Sequence, residues 1–282
     1  MPAMKICYNG KIIEEREMHI PVANRAFRYG DGLFETMHWF HNNLLFFEDH
    51  IDRITAGMKA LRMIPPRDFT AARLEPLLRR LIEENQAGTH ARLRLQVWRN
   101  EGGLYIPDDN TVSWYAEASP VSDPVYFNSA ESIRLEIYDE YLKMVAPSAP
   151  FKTLSTQVYM MAGIYSREVG CDDCLLLNNH GKVIEAIAAN VFFMYGADVV
   201  TPPVSDGCVT GVMRKNLMEL LLMHDYRVFE SSIGIDEVLE AEECFLTNVM
   251  QGVRSVAACG IKNFQTSQTH QIRRLLMESL EF

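Results

Sequence analysis

The chain has 282 residues, of which 48% are hydrophobic and 23% charged, enough apolar content for a sizeable core in one large domain or two ordinary ones. A formal net charge of -10 argues against nucleic acid and membrane as partners, but it leaves open a small anionic ligand, which reads a local field. No stretch approaches the roughly 20 apolar residues that span a bilayer, and MPAMKICYNGKIIEE lacks the apolar core of a signal peptide, so a cytoplasmic location is expected.

Asn9-Gly10 suits a two-residue type I′ turn, which predicts a hairpin of residues 5–8 and 11–13. His41-Asn42-Asn43 predicts a second, of residues 33–40 and 44–47. Ile51, Ile54, Met58 and Leu61 repeat at a helical period over residues 48–62, ended by Pro65-Pro66. A second helix is expected over 69–84, stopped by Asn85 and Gly88. Residues 92–98 alternate basic with apolar, as a half-buried strand does, with 111–118 as its partner. Turn formers fill residues 119–124, the expected interdomain linker.

Beyond the linker, strands are expected at 133–137, 174–177, 183–185, 191–195, 199–201, 244–246 and 253–259. Helices are expected at 156–166, 212–224 and 269–280. The pattern predicts an α+β fold in two domains, a smaller one over 1–119 and a larger one over 125–282. Cys171 and Cys174 form a CxxC, but no second pair and no paired histidines accompany it, so half of a zinc ligand set is missing. The six cysteines read as small buried thiols in a reduced cytosol, and no metal is expected.

Four constellations carry chemistry. Lys152, in Pro150-Phe151-Lys152-Thr153, stands just before a helix, and a lysine there forms a Schiff base if its surroundings lower its pKa. Glu185 interrupts a small, apolar run that continues to Asn190, and a buried carboxylate needs a partner such as a protonated pyridine nitrogen. Ser205 to Arg214 leads through Gly207 and Gly211 into a helix, whose N-terminal N–H groups suit a phosphate. Arg53, three residues after His50, offers a fixed cation for the same anion.

In this order the residues resemble the class IV aminotransferase family, fold type IV enzymes that use pyridoxal 5′-phosphate (PLP). That family includes branched-chain and D-amino-acid aminotransferases and aminodeoxychorismate lyases. Tyr29-Gly30-Asp31-Gly32-Leu33-Phe34-Glu35 resembles its early glycine-acid-glycine strand start, and His50-Ile51-Asp52-Arg53-Ile54 its HxxRL-type helix. Phe151-Lys152 falls at the Schiff-base lysine, Glu185 to Asn190 resembles E-x-x-x-x-N, and Gly211-Val212-Met213-Arg214 resembles the start of the phosphate-cup helix. Leu246-Thr247-Asn248 resembles the late strand and turn that close the site.

The resemblance implies that Lys152, in the larger domain, holds the cofactor and shuttles protons, and that Glu185 pairs with the pyridine nitrogen. It implies phosphate contacts from Arg53, the N–H groups of Val212 and Met213, and Thr247 or Asn248. It also implies a homodimer acting on amino-acid and keto-acid substrates.

Departures bear on the reaction. Gly211-Val212-Met213 stands where many relatives have Gly-Ile-Thr, and with Thr247-Asn248 it looks more like the lyases; Glu35 after Phe34 looks more like the transaminases. Leu104 stands where D-amino-acid aminotransferases and lyases often carry a second arginine, and leucine makes no charge-assisted pair with a substrate carboxylate. Glu35 and Arg99 are the expected substrate contacts, with Arg28 and His38 as further candidates to anchor the carboxylate. Two reactions stay open: amino transfer between an amino acid and a 2-keto acid, and release of pyruvate and 4-aminobenzoate from aminodeoxychorismate.

Overall fold

Asn9 and Gly10 have φ of 45° and 83°, the positive values that a type I′ turn demands, and they join β1 (Lys5–Tyr8) to β2 (Lys11–Glu14). The computed structural model in which this is seen describes residues 4–121 and 131–280. By its contacts the chain divides into two units: Met1–Pro124 with Phe151–Ser155, and Val125–Pro150 with Thr156–Phe282. Part of the expected linker, residues 122–124, lies outside the described residues.

The first unit adds β3 (Gly32–Phe40), β4 (Asn43–Leu44), β5 (His90–Arg99) and β6 (Val112–Pro120) in the order β2-β1-β6-β5-β3-β4, every neighbour antiparallel. Period-two alternation turns Leu33, Met37, Leu93, Leu95, Trp114 and Ala116 to one face. Helices α2 (Phe47–Ala60) and α3 (Ala71–Glu84) cover that face with Ile51, Ile54, Met58, Leu74 and Leu78. The expected strand 44–47 stops short, because Phe46 takes a left-handed φ of 51° and α2 begins at Phe47. A five-residue helix, α1 (Arg25–Tyr29), is capped by the Asn24 side chain on Phe27 N–H and closed by Gly30 at φ 64°.

The second unit contains β7 (Ile133–Lys143), β8 (Asp173–Asn178), β9 (Val183–Ala186), β10 (Asn190–Tyr195), β11 (Asp198–Thr201), β12 (Arg227–Glu230), β13 (Glu243–Asn248), β14 (Gly252–Cys259) and β15 (Lys262–Asn263). The order is β12-β11-β10-β13-β14-β7-β8-β9, with β15 beside β14. Strand β7 runs six residues beyond its expected end at Ile137, past a register shift against β8. Helices α4 (Gln157–Val169), α5 (Val212–Met223), α6 (Ile235–Glu240) and α7 (Ser267–Leu280) complete the unit, α4 packing on β7 and β8 and α7 on β14.

The sheet has to curl. Strands β9 and β10 stand five places apart in its order, about 24 Å if flat, at the usual spacing between strands. Ile187–Ala189 joins them, and so short a link reaches about 14 Å. Among the described residues no helix is long and apolar enough to cross a membrane. All six cysteines are free thiols, with Cys171 and Cys174 Sγ 3.7 Å apart.

Gly32 opens β3 where a Cβ would stand 2.4 Å from Val97 O and 2.7 Å from Leu154 Cδ1. Gly32→Ala is expected to destabilise the protein by about 1–3 kcal/mol through overpacking, read as a fall in the urea midpoint. An unchanged midpoint would mean that the strand start yields freely.

Candidate functional site

In the first unit β4 pairs with Trp39 and Phe40, the far end of β3, so it does not cover the opening residues of β3 on that side. The segment Phe151–Ser155 covers them. Phe34 N–H donates to Lys152 O at 2.9 Å, Leu154 N–H donates to Gly32 O at 3.0 Å, and Leu33 and Thr153 form an antiparallel bridge. The Lys152 backbone is thereby fixed by ladder bonds, although the residue lies beyond the linker in sequence. Lys152 Nζ stands 5.1 Å from the centre of the Phe34 ring, and the Arg94 guanidinium carbon stands 4.1 Å from it. Arg94 Nη2 donates to Gln96 Oε1 at 2.9 Å.

One residue along β3, Glu35 points to the helix-covered face and is 1% exposed. Arg53 grips both its oxygens, Nε to Oε1 at 2.7 Å and Nη2 to Oε2 at 2.5 Å, and His50 Nδ1 lies 2.7 Å from Oε2. Burial raises the Glu35 pKa, but the Arg53 charge and the hydrogen bonds from His50 and Arg53 outweigh it and hold the carboxyl at about 2. Burial lowers His50, and Arg53 and Lys152 add to that, against the pull of Glu35. Neutral His50 donates from Nδ1, while its buried Nε2 has no hydrogen-bond partner among the described residues.

The expected substrate contacts are committed elsewhere. Glu35 has its carboxylate taken by Arg53 and His50. Arg99 Nε donates to Asp31 Oδ2 at 3.0 Å, Nη2 to Leu61 O at 2.8 Å, and Nη1 to Asn110 Oδ1 and Arg62 O. Arg25 Nε meets the same Asp31 oxygen at 2.8 Å, so the acid of the glycine-acid-glycine stretch ties the chain together. Arg28 Nε donates to Val22 O, and fully buried His38 lies among the Phe40 and His90 rings.

In the second unit, Glu185 on β9 is 3% exposed. Its Oε1 accepts from Lys143 Nζ at 2.6 Å and Tyr159 OH at 2.9 Å, and its Oε2 accepts from Val209 N–H at 2.8 Å. Burial, and then the Glu185 charge, push Tyr159 far up, so it remains a phenol and a donor. Asn190 Nδ2 donates to Val209 O at 2.8 Å. The two ends of the E-x-x-x-x-N stretch therefore grip Val209 by its N–H and its C=O. Thr210 N–H donates to Pro150 O at 2.9 Å.

This grip delivers Gly211, where a Cβ would stand 1.8 Å from Asn190 Oδ1, so only glycine fits. Gly211 caps α5 without a side chain, which leaves the first helical N–H groups, those of Val212 and Met213, with no intrahelical partner. Thr247 sits directly opposite Asn190 in the β10–β13 ladder, so their side chains share a face. Among the described residues Thr247 Oγ1, which is buried, has no hydrogen-bond partner. A helix start and an orphaned hydroxyl beside it fit an anion with several acceptor oxygens. Asn248 is used otherwise: its Oδ1 accepts from Met250 N–H and Gln251 N–H and shapes the next turn.

Reading the sequence missed Lys143, Tyr159 and Arg94. Arg94 carried a usable signal, since alternation puts it on the same sheet face as Phe34. Lys143 lay beyond the expected end of its strand, and Tyr159 lay inside the expected helix 156–166 with no local signal to single it out.

Glu35 is held below its unfolded value, so its stabilisation is present above about pH 4.5 and is lost as pH falls toward 2. Glu35→Gln is expected to be the less stable protein at pH 7 by about 3 kcal/mol, with the gap to wild type closing as pH falls. Urea unfolding at both ends of that range reads the gap, and a pH-independent gap would deny the charge pairing.

The family model for amino-transferase class IV matches residues 32–259. An aminodeoxychorismate lyase of Vibrio harveyi is 26% identical, over 86% of this chain and 88% of that protein. A D-alanine aminotransferase of Bacillus licheniformis is 22% identical, over 90% and 88%. Among solved structures, a branched-chain aminotransferase of Thermoproteus uzoniensis with norvaline superposes with a TM-score of 0.89 at 21% identity, covering 98% of this chain and 94% of that one.

Proposed function

The chain belongs to the class IV aminotransferase family, whose cofactor is PLP, and from that premise we propose that it transfers an amino group between an amino acid and a 2-keto acid. The observation that carries this reading is the ring of Phe34, against which the first unit sets both the Lys152 amine and the Arg94 guanidinium. An amino acid bears an amino group and a carboxylate on one carbon: Lys152 would hold the cofactor that receives the amino group, and the Arg94 guanidinium beside it suits the carboxylate.

Lys152 would hold PLP covalently, and its amine would serve as base and acid for the proton at the substrate Cα. PLP supplies the electron sink when bound. Glu185 would face the pyridine nitrogen, held in place by Lys143, Tyr159 and Val209. The N–H groups of Val212 and Met213, the Thr247 hydroxyl and Arg53 would hold the phosphate, with Glu35 and His50 keeping the Arg53 guanidinium in one orientation. Arg94 would take the substrate carboxylate, the role that Arg99 is too fully engaged to fill.

The second reading is release of pyruvate and 4-aminobenzoate from aminodeoxychorismate. It is favoured by Met213 at the expected phosphate cup and by the likeness to the Vibrio harveyi lyase over 86% of this chain.

Absorbance of the purified protein with PLP, followed on adding D- and L-amino acids, separates the two. Conversion of the cofactor to pyridoxamine phosphate with a keto acid formed supports amino transfer. Pyruvate release from aminodeoxychorismate without an amino acceptor establishes the lyase. Lys152→Ala is expected to abolish turnover, and an active variant would overturn its assignment. Arg94→Leu is expected to raise KM for the amino donor about 10- to 100-fold, the loss of one charge-assisted pair, with a smaller change in kcat. An unchanged KM would remove Arg94 from the substrate site.

A further inference from the structure

Among the described residues, the titratable side chains that act on Glu185 are Lys143 from β7, Tyr159 from α4 and Cys208 from the loop before α5. Burial and the Glu185 charge push the Cys208 thiol up to about 12, so it stays protonated like the Tyr159 phenol. Lys143 alone is a cation. Its side chain is 11% exposed, its Nζ lies 2.6 Å from Glu185 Oε1, and it also donates to Ala149 O at 3.2 Å. This is a fixed pair in a largely dry place, not a surface contact exchanging with water. Oε1 already serves two donors, while Oε2 serves one, and a carboxylate oxygen has room for two.

We infer that Lys143 is a positioning residue that turns Glu185 Oε2 to the cofactor and limits how firmly Glu185 holds a proton on the pyridine nitrogen. The inference rests on the reading above that Glu185 faces that nitrogen. A carboxylate that already shares its charge with an ammonium group attracts a second cation less than a lone carboxylate does, and burial enlarges the difference. Lys143 therefore tempers the electron sink. It does so without touching substrate or cofactor, and it spares the protein an unpaired buried charge.

The test is the pyridine-nitrogen shift of [15N]PLP bound to the protein, followed against pH by NMR. In Lys143→Met the loss of the pyridinium signal is expected about one to two pH units higher than in wild type, the size of a neighbouring-charge effect. Lys143→Arg, which keeps the charge, is expected to titrate as wild type does. Lys143→Gln, which keeps a neutral donor to Oε1, gives the same reading if the methionine variant does not fold. A charge-free variant whose titration superimposes on wild type overturns the inference. Glu185→Gln tells the two levels apart. If it leaves the titration unchanged, Glu185 does not face the nitrogen and the underlying reading fails; if it removes the pyridinium signal while Lys143→Met matches wild type, only the role of Lys143 fails.

Discussion

A carboxylate taken out of water has to be answered on both its oxygens, and the larger unit is arranged around answering one. Glu185 draws its donors from three places: the end of β7, the first turn of α4 and the loop before α5. Leaving such a group without its partners costs several kcal/mol, so these elements are held to one arrangement. The bond from Val209 then does a second thing. With Asn190 on the other side of the same residue, it fixes where the chain turns into α5, and so where the first free N–H groups point. The carboxylate and the start of α5 are separate in chemistry but share a single clamped residue.

The first unit solves an analogous problem with opposite charge. A long cationic side chain such as Arg53 wanders unless something holds it, and a bidentate carboxylate behind its guanidinium stops that. Glu35 is deeply buried and stays ionised because Arg53 and His50 offset its desolvation. A residue that looks from its neighbourhood in sequence like a substrate contact is here the support of another residue.

Much of the fold was legible where one local rule decides. Asn9-Gly10 dictates its turn, and Ile51, Ile54 and Met58 declare the buried stripe of α2. The five residues of α1 are too few to show a period, and the short β4 follows from a left-handed Phe46 that no pattern marks. The site was legible by type and not by partner. Lys152, Glu185 and Gly211 stand out through resemblance to a family, but Arg99 is settled by Asp31, 68 positions away, and Lys143 meets Glu185 across 42. Pairings over such separations are made by topology, and single-chain patterning does not record them.

The strand-like pairing of Lys152 with β3 bears on how the protein is made. The first unit is discontinuous: its sheet is written early in the chain, but the stretch that closes the open half of β3 comes more than a hundred residues later. During synthesis that edge emerges first, with the Phe34 N–H and the Gly32 C=O unsatisfied, beside largely apolar β-forming sequence. A ribosome paused between the two stretches therefore holds out a template for pairing with another chain. The lysine segment, on arriving, ends that exposure, so the stretch assigned to chemistry in the finished enzyme also guards the nascent one against aggregation.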